Sequence, residues 1–368
     1  MGDDELRGRR DPAYEPDDAG ELRNEDEPSD EDGVEDTYDD DSVGAPEGKR
    51  RSPARIAVYT VLSMLLVVAL VLAGFALYLN HLLDSNVRRA GLLPSASRTA
   101  KDPAAGDAVN ILLLGSDSRT EDLQDSSRAD VIQLVHIDSG RSSAQVIHFP
   151  RDLYVDIPGK GKNKINAAFA YGGAPLLVQT LERLLGVRVD HVAQIGFDGF
   201  KDLTNTVGGV DVNVEQPTTS GGFTFTKGTN HMSGEQALAF VRERKQLGAG
   251  DIDRGKRQQA WIQALLAKSL SRGTLTNPAK LTSMIDDTTS NLVVDDQFST
   301  GAMRSLAISL RSLRGGDVTY LTAPFSGFDT VAGVGSIDVV DQPRMTALGT
   351  ALRTDAMSSY DGRANTPG

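Results

Sequence analysis

Residues 110–119 read NILLLGSDSR, and this stretch decides the fold. Asn110 to Leu114 form an apolar run suited to a buried strand, and Gly115 closes it ahead of Ser116, Asp117, Ser118 and Arg119. A continuous run of Ile and Leu ended by Gly and polar residues is how a central strand meets a surface loop. Ligand sites favour that edge of an open α/β sheet. Taken alone, the tip reads first as a strand-ending turn in which Asp117 caps the next element. The rest of the chain has to shift that reading.

The chain has 368 residues, with 38 basic and 51 acidic side chains and a net charge of -13. The acidity is local. Residues 1–48 hold 20 Asp and Glu against 4 Arg, which leaves 34 basic and 31 acidic groups for the other 320 residues. A tail with few large apolar residues and strong self-repulsion cannot offset its ordering entropy, so 1–48 is expected to be disordered. Its acidity argues against a nucleic-acid partner.

Ile56 to Leu79 follow, 24 residues without a charge. At ~1.5 Å per residue they span ~36 Å, enough for a ~30 Å hydrocarbon core with some tilt. The stretch 56–79 is therefore expected to be a transmembrane helix. A cleaved signal peptide fits less well, because the run is long and no small-x-small site follows it. Lys49, Arg50, Arg51 and Arg55 all precede the span. The positive-inside rule then places the tail in the cytoplasm and residues 80–368 outside, a single-pass type II protein of the cell membrane.

There is no cysteine, so the external part must fold on buried apolar surface alone. The five histidines (81, 136, 148, 191, 231) are scattered, and their spacing signals neither a zinc site nor a His-activated nucleophile.

A linker is expected over 80–107, a catalytic domain over 108–355 and a short tail over 356–368. Strands are predicted at Val109 to Leu114, Val131 to Ile137 and Ala144 to Phe149, the last two joined by the turn DSGRSS. Leu177, Leu181, Leu184 and Leu185 recur at helical spacing over 174–185, with Gly186 as the stop. GGVDVNVEQP reads as an edge strand. Ser233 and Gln236 make a capping box, and a longer helix starting near Asp253 carries an apolar face of Trp261, Ile262, Leu265, Leu266 and Leu270. The mixed order of elements predicts an α/β fold, a three-layer α-β-α domain with a mixed central sheet.

Polar groups gather at element ends: Arg128 and Asp130 in RAD, Arg151 and Asp152 after the third strand, Lys164 and Asn166 in KNKINAAFA. Arg242 and Arg244 follow in VRERK, and Asp253, Arg254, Arg257 and Gln258 in DIDRGKRQQ. Helical spacing lets Arg254, Arg257 and Gln258 share a face. Outside the membrane the net charge is near -1, since +3 includes the four basic residues at 49–55. So many arginines there need a local anion, and the guanidinium fork suits a pyrophosphate. Asp117 and Asp130 would repel that anion unless a divalent cation lay between, and Mg²⁺ normally takes one or two carboxylates plus phosphate oxygens. Together these groups outline a phosphoryl-transfer site.

NILLLGSDSR, RADVIQLVHID, FPRDLYVDIPG, KINAAFAYGG, GEQALAFVRER and DIDRGKRQQ, in this order after a single anchor, closely resemble the LytR-CpsA-Psr family of cell-wall glycopolymer ligases. The resemblance covers about residues 108–350. It implies a transferase that takes a glycopolymer from a polyprenyl-pyrophosphate carrier and joins it through a phosphodiester to peptidoglycan, assisted by Mg²⁺. By motif match, Asp117 and Asp130 would hold the metal. Arg128, Arg151, Arg242, Arg244 and Gln258 would grip the pyrophosphate, with Lys164 and Arg254 beside them. An aspartate, Asp117 or Asp130, would draw the proton from the acceptor hydroxyl. The polyprenyl chain needs an apolar channel, for which the helix over 174–185 and the Trp261 to Leu270 face are candidate walls. A non-catalytic sensor and a pyrophosphatase are the competing readings.

Overall fold

A computed structural model describes residues 53–95, 98–116 and 129–362. Asp117 and Arg128 lie outside the described residues, as does the acidic tail. The chain divides into two units, Met1–Leu62 and Ser63–Gly368, and the described part of the first is helical. Helix α1 (Pro53–Asn86) contains Val58–Asn86, the one segment among the described residues long and apolar enough to cross a membrane.

The second unit begins with β1 (Arg88–Ala90), β2 (Val109–Ser116), β3 (Ala129–Ile137), β4 (Ala144–His148), β5 (Leu153–Ile157) and β6 (Gly161–Lys164). Helix α2 (Ile165–Leu185), β7 (His191–Gly196) and α3 (Phe197–Thr206) come next. The short strands β8 (Val210–Val214), β9 (Thr218–Ser220), β10 (Phe223–Phe225) and β11 (Gly228–Met232) precede α4 (Gly234–Arg242) and α5 (Asp251–Ser269). Then α6 (Arg272–Leu275), α7 (Pro278–Ser290), β12 (Leu292–Asp295) and α8 (Thr300–Ser309) lead to β13 (Val318–Thr322), β14 (Phe325–Val331), β15 (Gly335–Val340) and α9 (Gln342–Arg353).

Seven strands form one sheet in the order β1-β12-β7-β2-β3-β4-β13. The pairs β12/β7, β2/β3 and β3/β4 are antiparallel, whereas β1/β12, β2/β7 and β4/β13 are parallel, so the expected mixed sheet is present. Side chains alternate across a strand, and β2 is buried on both faces. Leu112 and Leu114 pack with Leu177 and Leu181 of α2 and Leu348 of α9. Ile111 packs on the other face with Val294 and Phe298, beside Leu306 of α8. Each such fully buried Leu or Ile contributes ~1.5–3 kcal/mol, and apolar side chains on both faces suit NILLL to the centre of the sheet. A second cluster joins α3, α4 and α5 to β8 and β11 through Phe240, Val210 and Trp261.

Two expectations change. The segment 80–107 is built into the domain: β1 extends the sheet beside β12, and Leu92 and Leu93 are buried in the main core. A strand added at an edge satisfies backbone groups that would otherwise be exposed. Within 356–368, Met357 is likewise buried in that core. Val210–Val214 is the expected edge strand, paired with β11 in a separate two-stranded ribbon.

Candidate active site

The β3–β4 hairpin brings Asp130 and Arg151 together. Gln133 faces His148 in the ladder, and the Phe149 N–H donates to the Ile132 carbonyl at 2.9 Å. Carrying that register outward sets Asp130 opposite Arg151, whose Nη1 donates to Asp130 Oδ1 at 2.6 Å. The Arg151 guanidinium also lies 3.8 Å from Asp251 and 4.0 Å from Asp152, while its backbone N–H donates to Asp251 Oδ2 at 3.0 Å. Lys164, at the start of α2, reaches Asp152 Oδ1 at 3.0 Å.

Helix α5 supplies the next side chains. Arg254 forms an ion pair with Asp251 one turn before it. Its Nη2 donates to the Asp130 backbone carbonyl at 3.5 Å, and Gln258 Nε2 donates to the same oxygen at 3.4 Å. Arg257 turns elsewhere, donating to Thr218 Oγ1 and the Gln216 carbonyl and lying 4.3 Å over the Phe240 ring. The expected shared face of Arg254, Arg257 and Gln258 is thus half right, because positions 257 and 258 diverge by ~100° around a helix.

Helix α4 stops at Arg242, and Glu243 is extended (φ -66, ψ 133). That break lets Arg242 and Arg244, two positions apart, line one cavity. The Arg242 guanidinium sits 4.5 Å over the Phe197 ring. The cavity measures about 210 Å³. Asp130, Arg242, Arg244, Arg254 and Gln258 line its polar part, and Leu113, Val131, Ile195, Phe197, Phe200, Leu238, Val241, Trp261 and Ile262 make up most of its wall. Of the expected Trp261 to Leu270 face, Trp261 and Ile262 line the cavity, whereas Leu265, Leu266 and Leu270 do not. The helix over 174–185 is not a wall: Leu177 and Leu181 are fully buried in the main core instead. Helices α3 and α4 take its place.

The sequence model of the LytR_cpsA_psr family matches residues 84–354. The chain belongs to this family. Polyisoprenyl-teichoic acid–peptidoglycan teichoic acid transferase TagU of Bacillus mycoides (strain KBAB4) is 39% identical over 194 residues, covering 52% of this chain and 63% of that protein. Cell wall biosynthesis protein LcpA of Corynebacterium glutamicum is 33% identical over 292 residues, 67% of this chain and 55% of that protein. The chain thus spans 55% to 63% of the length of these two relatives. Among solved structures, B. subtilis TagV superimposes with a TM-score of 0.59 at 27% identity, covering 68% of this chain and 98% of TagV. TagT bound to LI-WTA gives a TM-score of 0.58 at 30% identity, covering 74% of this chain and 99% of TagT.

In this LytR-CpsA-Psr domain the arginines are held under electrostatic load. Burial lowers the Arg254 pKa, Asp251 offsets part of that, and the nearby Arg151 and Arg244 lower it further. Burial also works against the Arg151 charge, but Asp130, Asp152 and Asp251 outweigh it and carry its pKa above the usual value. Burial pushes the Asp251 carboxyl up, against the pull of Arg254. Arg151 Nε and Arg254 Nε are buried donors without a hydrogen-bond partner among the described residues, and Gln258 Oε1 is a buried acceptor in the same state. Orphaned donors around a positive cluster are what a bound anion would satisfy.

Asp251 was missed at the level of sequence. Its only signal was its place three residues before Arg254 in a first helical turn, where a carboxylate is favoured. Asp253 has a structural role, accepting from the Ala249 N–H at 2.9 Å and Gln216 Nε2 at 3.0 Å. Among the described residues no group of three or more His, Cys, Asp or Glu is placed to hold a metal ion. Among the described residues Asp130 alone brings a carboxylate to the cavity. That donor set fits a Mg²⁺ shared with phosphate oxygens, not an all-protein cage.

Proposed function

We propose that this LytR-CpsA-Psr protein transfers a glycopolymer from a polyprenyl-pyrophosphate carrier to a peptidoglycan hydroxyl, from the outer face of the cell membrane. The carrying observation is the cavity: its wall is mostly apolar, and one side bears three arginines and Gln258. A ligand that fills both parts joins a hydrocarbon to a strong anion, as a polyprenyl pyrophosphate does. TagU, by its name, transfers teichoic acid from a polyisoprenyl carrier to peptidoglycan, and TagT has been solved with LI-WTA. Both support the reading.

In this scheme Leu238, Val241, Trp261 and Ile262 take the isoprene units next to the pyrophosphate. Arg242, Arg244, Arg254 and Gln258 hold the phosphates, with Arg128 and Arg151 in support and Lys164 orienting Asp152. The acceptor oxygen bonds to the phosphorus nearest the glycan, the bridging P–O bond breaks, and polyprenyl phosphate leaves. The acceptor proton passes to Asp117 or Asp130. A Mg²⁺ held by those two carboxylates and the phosphate oxygens would neutralise charge on the leaving oxygen.

The test supplies lipid-linked donor to the full chain with and without peptidoglycan. A covalent glycopolymer–peptidoglycan conjugate is expected. Release of glycopolymer phosphate without conjugate would make the protein a hydrolase, and no turnover in either arm would make it a sensor. Protease added to intact protoplasts should remove the C-terminal domain. Protection of that domain would overturn the type II topology.

A further inference from the structure

A second cleft, about 220 Å³, opens at the same end of β7. Ile195 lines the apolar cavity and its neighbour Gln194 lines this cleft. Neighbouring strand residues point to opposite faces of a sheet, so the two cavities lie on opposite faces of the sheet at the β2/β7 end.

A break in α2 shapes the second cleft. Gly172 (φ -159, ψ 24) and Gly173 (φ 62, ψ -160) leave helical geometry, and the helix resumes around Pro175. Only glycine takes the Gly173 conformation without strain. The break sets Tyr171 at the cleft edge with its side chain 49% exposed. The ring is nonetheless fixed. Asn163 Nδ2 donates to the Tyr171 hydroxyl at 2.9 Å, Asn163 Oδ1 accepts from the Lys164 N–H at 2.8 Å, and Lys160 Nζ lies 5.9 Å from the ring centroid. Through Lys164 and Asp152 this strand is tied to Arg151.

An aromatic ring held in one orientation, with a carboxamide at its hydroxyl and an ammonium over one face, leaves its other face to match a sugar ring, which offers C–H groups on its face and hydroxyls at its edge. We propose that the cleft at the α2 break, with Tyr171 as the stacking platform, binds a sugar ring of the acceptor glycan. The inference rests on the transferase reading. In-line displacement puts the attacking oxygen opposite the leaving group. The leaving polyprenyl phosphate occupies the apolar cavity, so the acceptor enters from the opposite face, where this cleft lies.

The first test needs no turnover. Saturation-transfer NMR of the full chain with a soluble tetrasaccharide of alternating N-acetylglucosamine and N-acetylmuramic acid should show contact, lost in Tyr171→Ala and kept in Tyr171→Phe. In the conjugation assay Tyr171→Ala should raise the acceptor KM by about tenfold, and Tyr171→Phe by less than about threefold. Equal contact in parent and Tyr171→Ala would overturn the proposal, as would a rise in the donor Kd in place of the acceptor KM, which would put the donor's own sugar in the cleft. Contact without any conjugate would refute the transferase reading and leave the sugar site standing.

Discussion

Asp130 and Arg151 meet at 2.6 Å just beyond the last paired residues of β3 and β4. Neither side chain is fully buried: 22% of Asp130 and 15% of Arg151 remain open to solvent. The pair thus combines a fixed backbone register with access for a ligand. Asp130 also lines the cavity.

Asp130→Asn keeps the shape and removes the charge. Under the proposed mechanism, Mg²⁺-dependent transfer should fall by about 100-fold or more, the scale of a lost base or metal carboxylate, while donor binding through the arginines should persist. Steady-state assays across a Mg²⁺ titration check this. An unchanged rate with the same metal requirement would strike Asp130 from the site.

Arg242 and Arg244 act as a pair only because α4 ends between them. Lysine supplies charge without the planar fork, and Arg242 would also lose its stacking on Phe197. Losing one hydrogen bond to a charged group costs ~1.5–3 kcal/mol. Arg242→Lys and Arg244→Lys should therefore each weaken donor binding or turnover by at least about tenfold, with unchanged melting temperature. Either variant at full activity would show that its arginine does not touch the pyrophosphate.

Gly255 sits where α5 presses on His148, and a methyl group there would overlap the imidazole ring. His148 is fully buried, and burial together with Arg254 lowers its pKa to about 3, so it stays neutral. Alanine favours a helix over glycine by ~1 kcal/mol, but overpacking a tight core costs ~1–3 kcal/mol. The overlap should win. Gly255→Ala is expected to melt lower and to lose activity as Arg254 and Gln258 shift off Asp130. A higher melting temperature would show that α5 is not seated on His148.

Asp338 gives a pH-dependent stability. Burial first, then Asp251 and Asp152, raise its pKa from 3.8 to about 7 against the opposing charge of Lys164. Between those values the folded chain holds a proton that the unfolded chain has released, so this group's contribution falls as pH rises through the window. Three pKa units set a ceiling of ~4 kcal/mol. Asp338→Asn should match its parent near pH 4 and gain on it progressively up to pH 8, measured by thermal melts across that range. A constant difference would place Asp338 in the ordinary carboxylate range.

Local pattern was enough for the membrane-length apolar helix, the central strand, the capping box at Ser233 and the polar residues Asp130, Arg242, Arg244, Arg254 and Gln258 that the fold gathers at one cavity. Each of these depends on neighbours within a few positions, where periodicity and turn chemistry act. Arg151, Lys164, Arg254 and Gln258 could be named because polar groups near element ends stand out against an apolar background. Their partners could not. Asp251 joins Arg151 across 100 residues, and Arg257 leaves the site for β9 although its spacing suits either course. The cavity wall was likewise decided by packing: α2 covers one face of the sheet while α3, α4 and α5 close the other, a choice set by which apolar faces meet once the chain has crossed over. Tyr171 shows the same limit. A tyrosine before two glycines is an ordinary turn in sequence, and only the tertiary fold puts its ring beside Asn163 at the edge of the sheet.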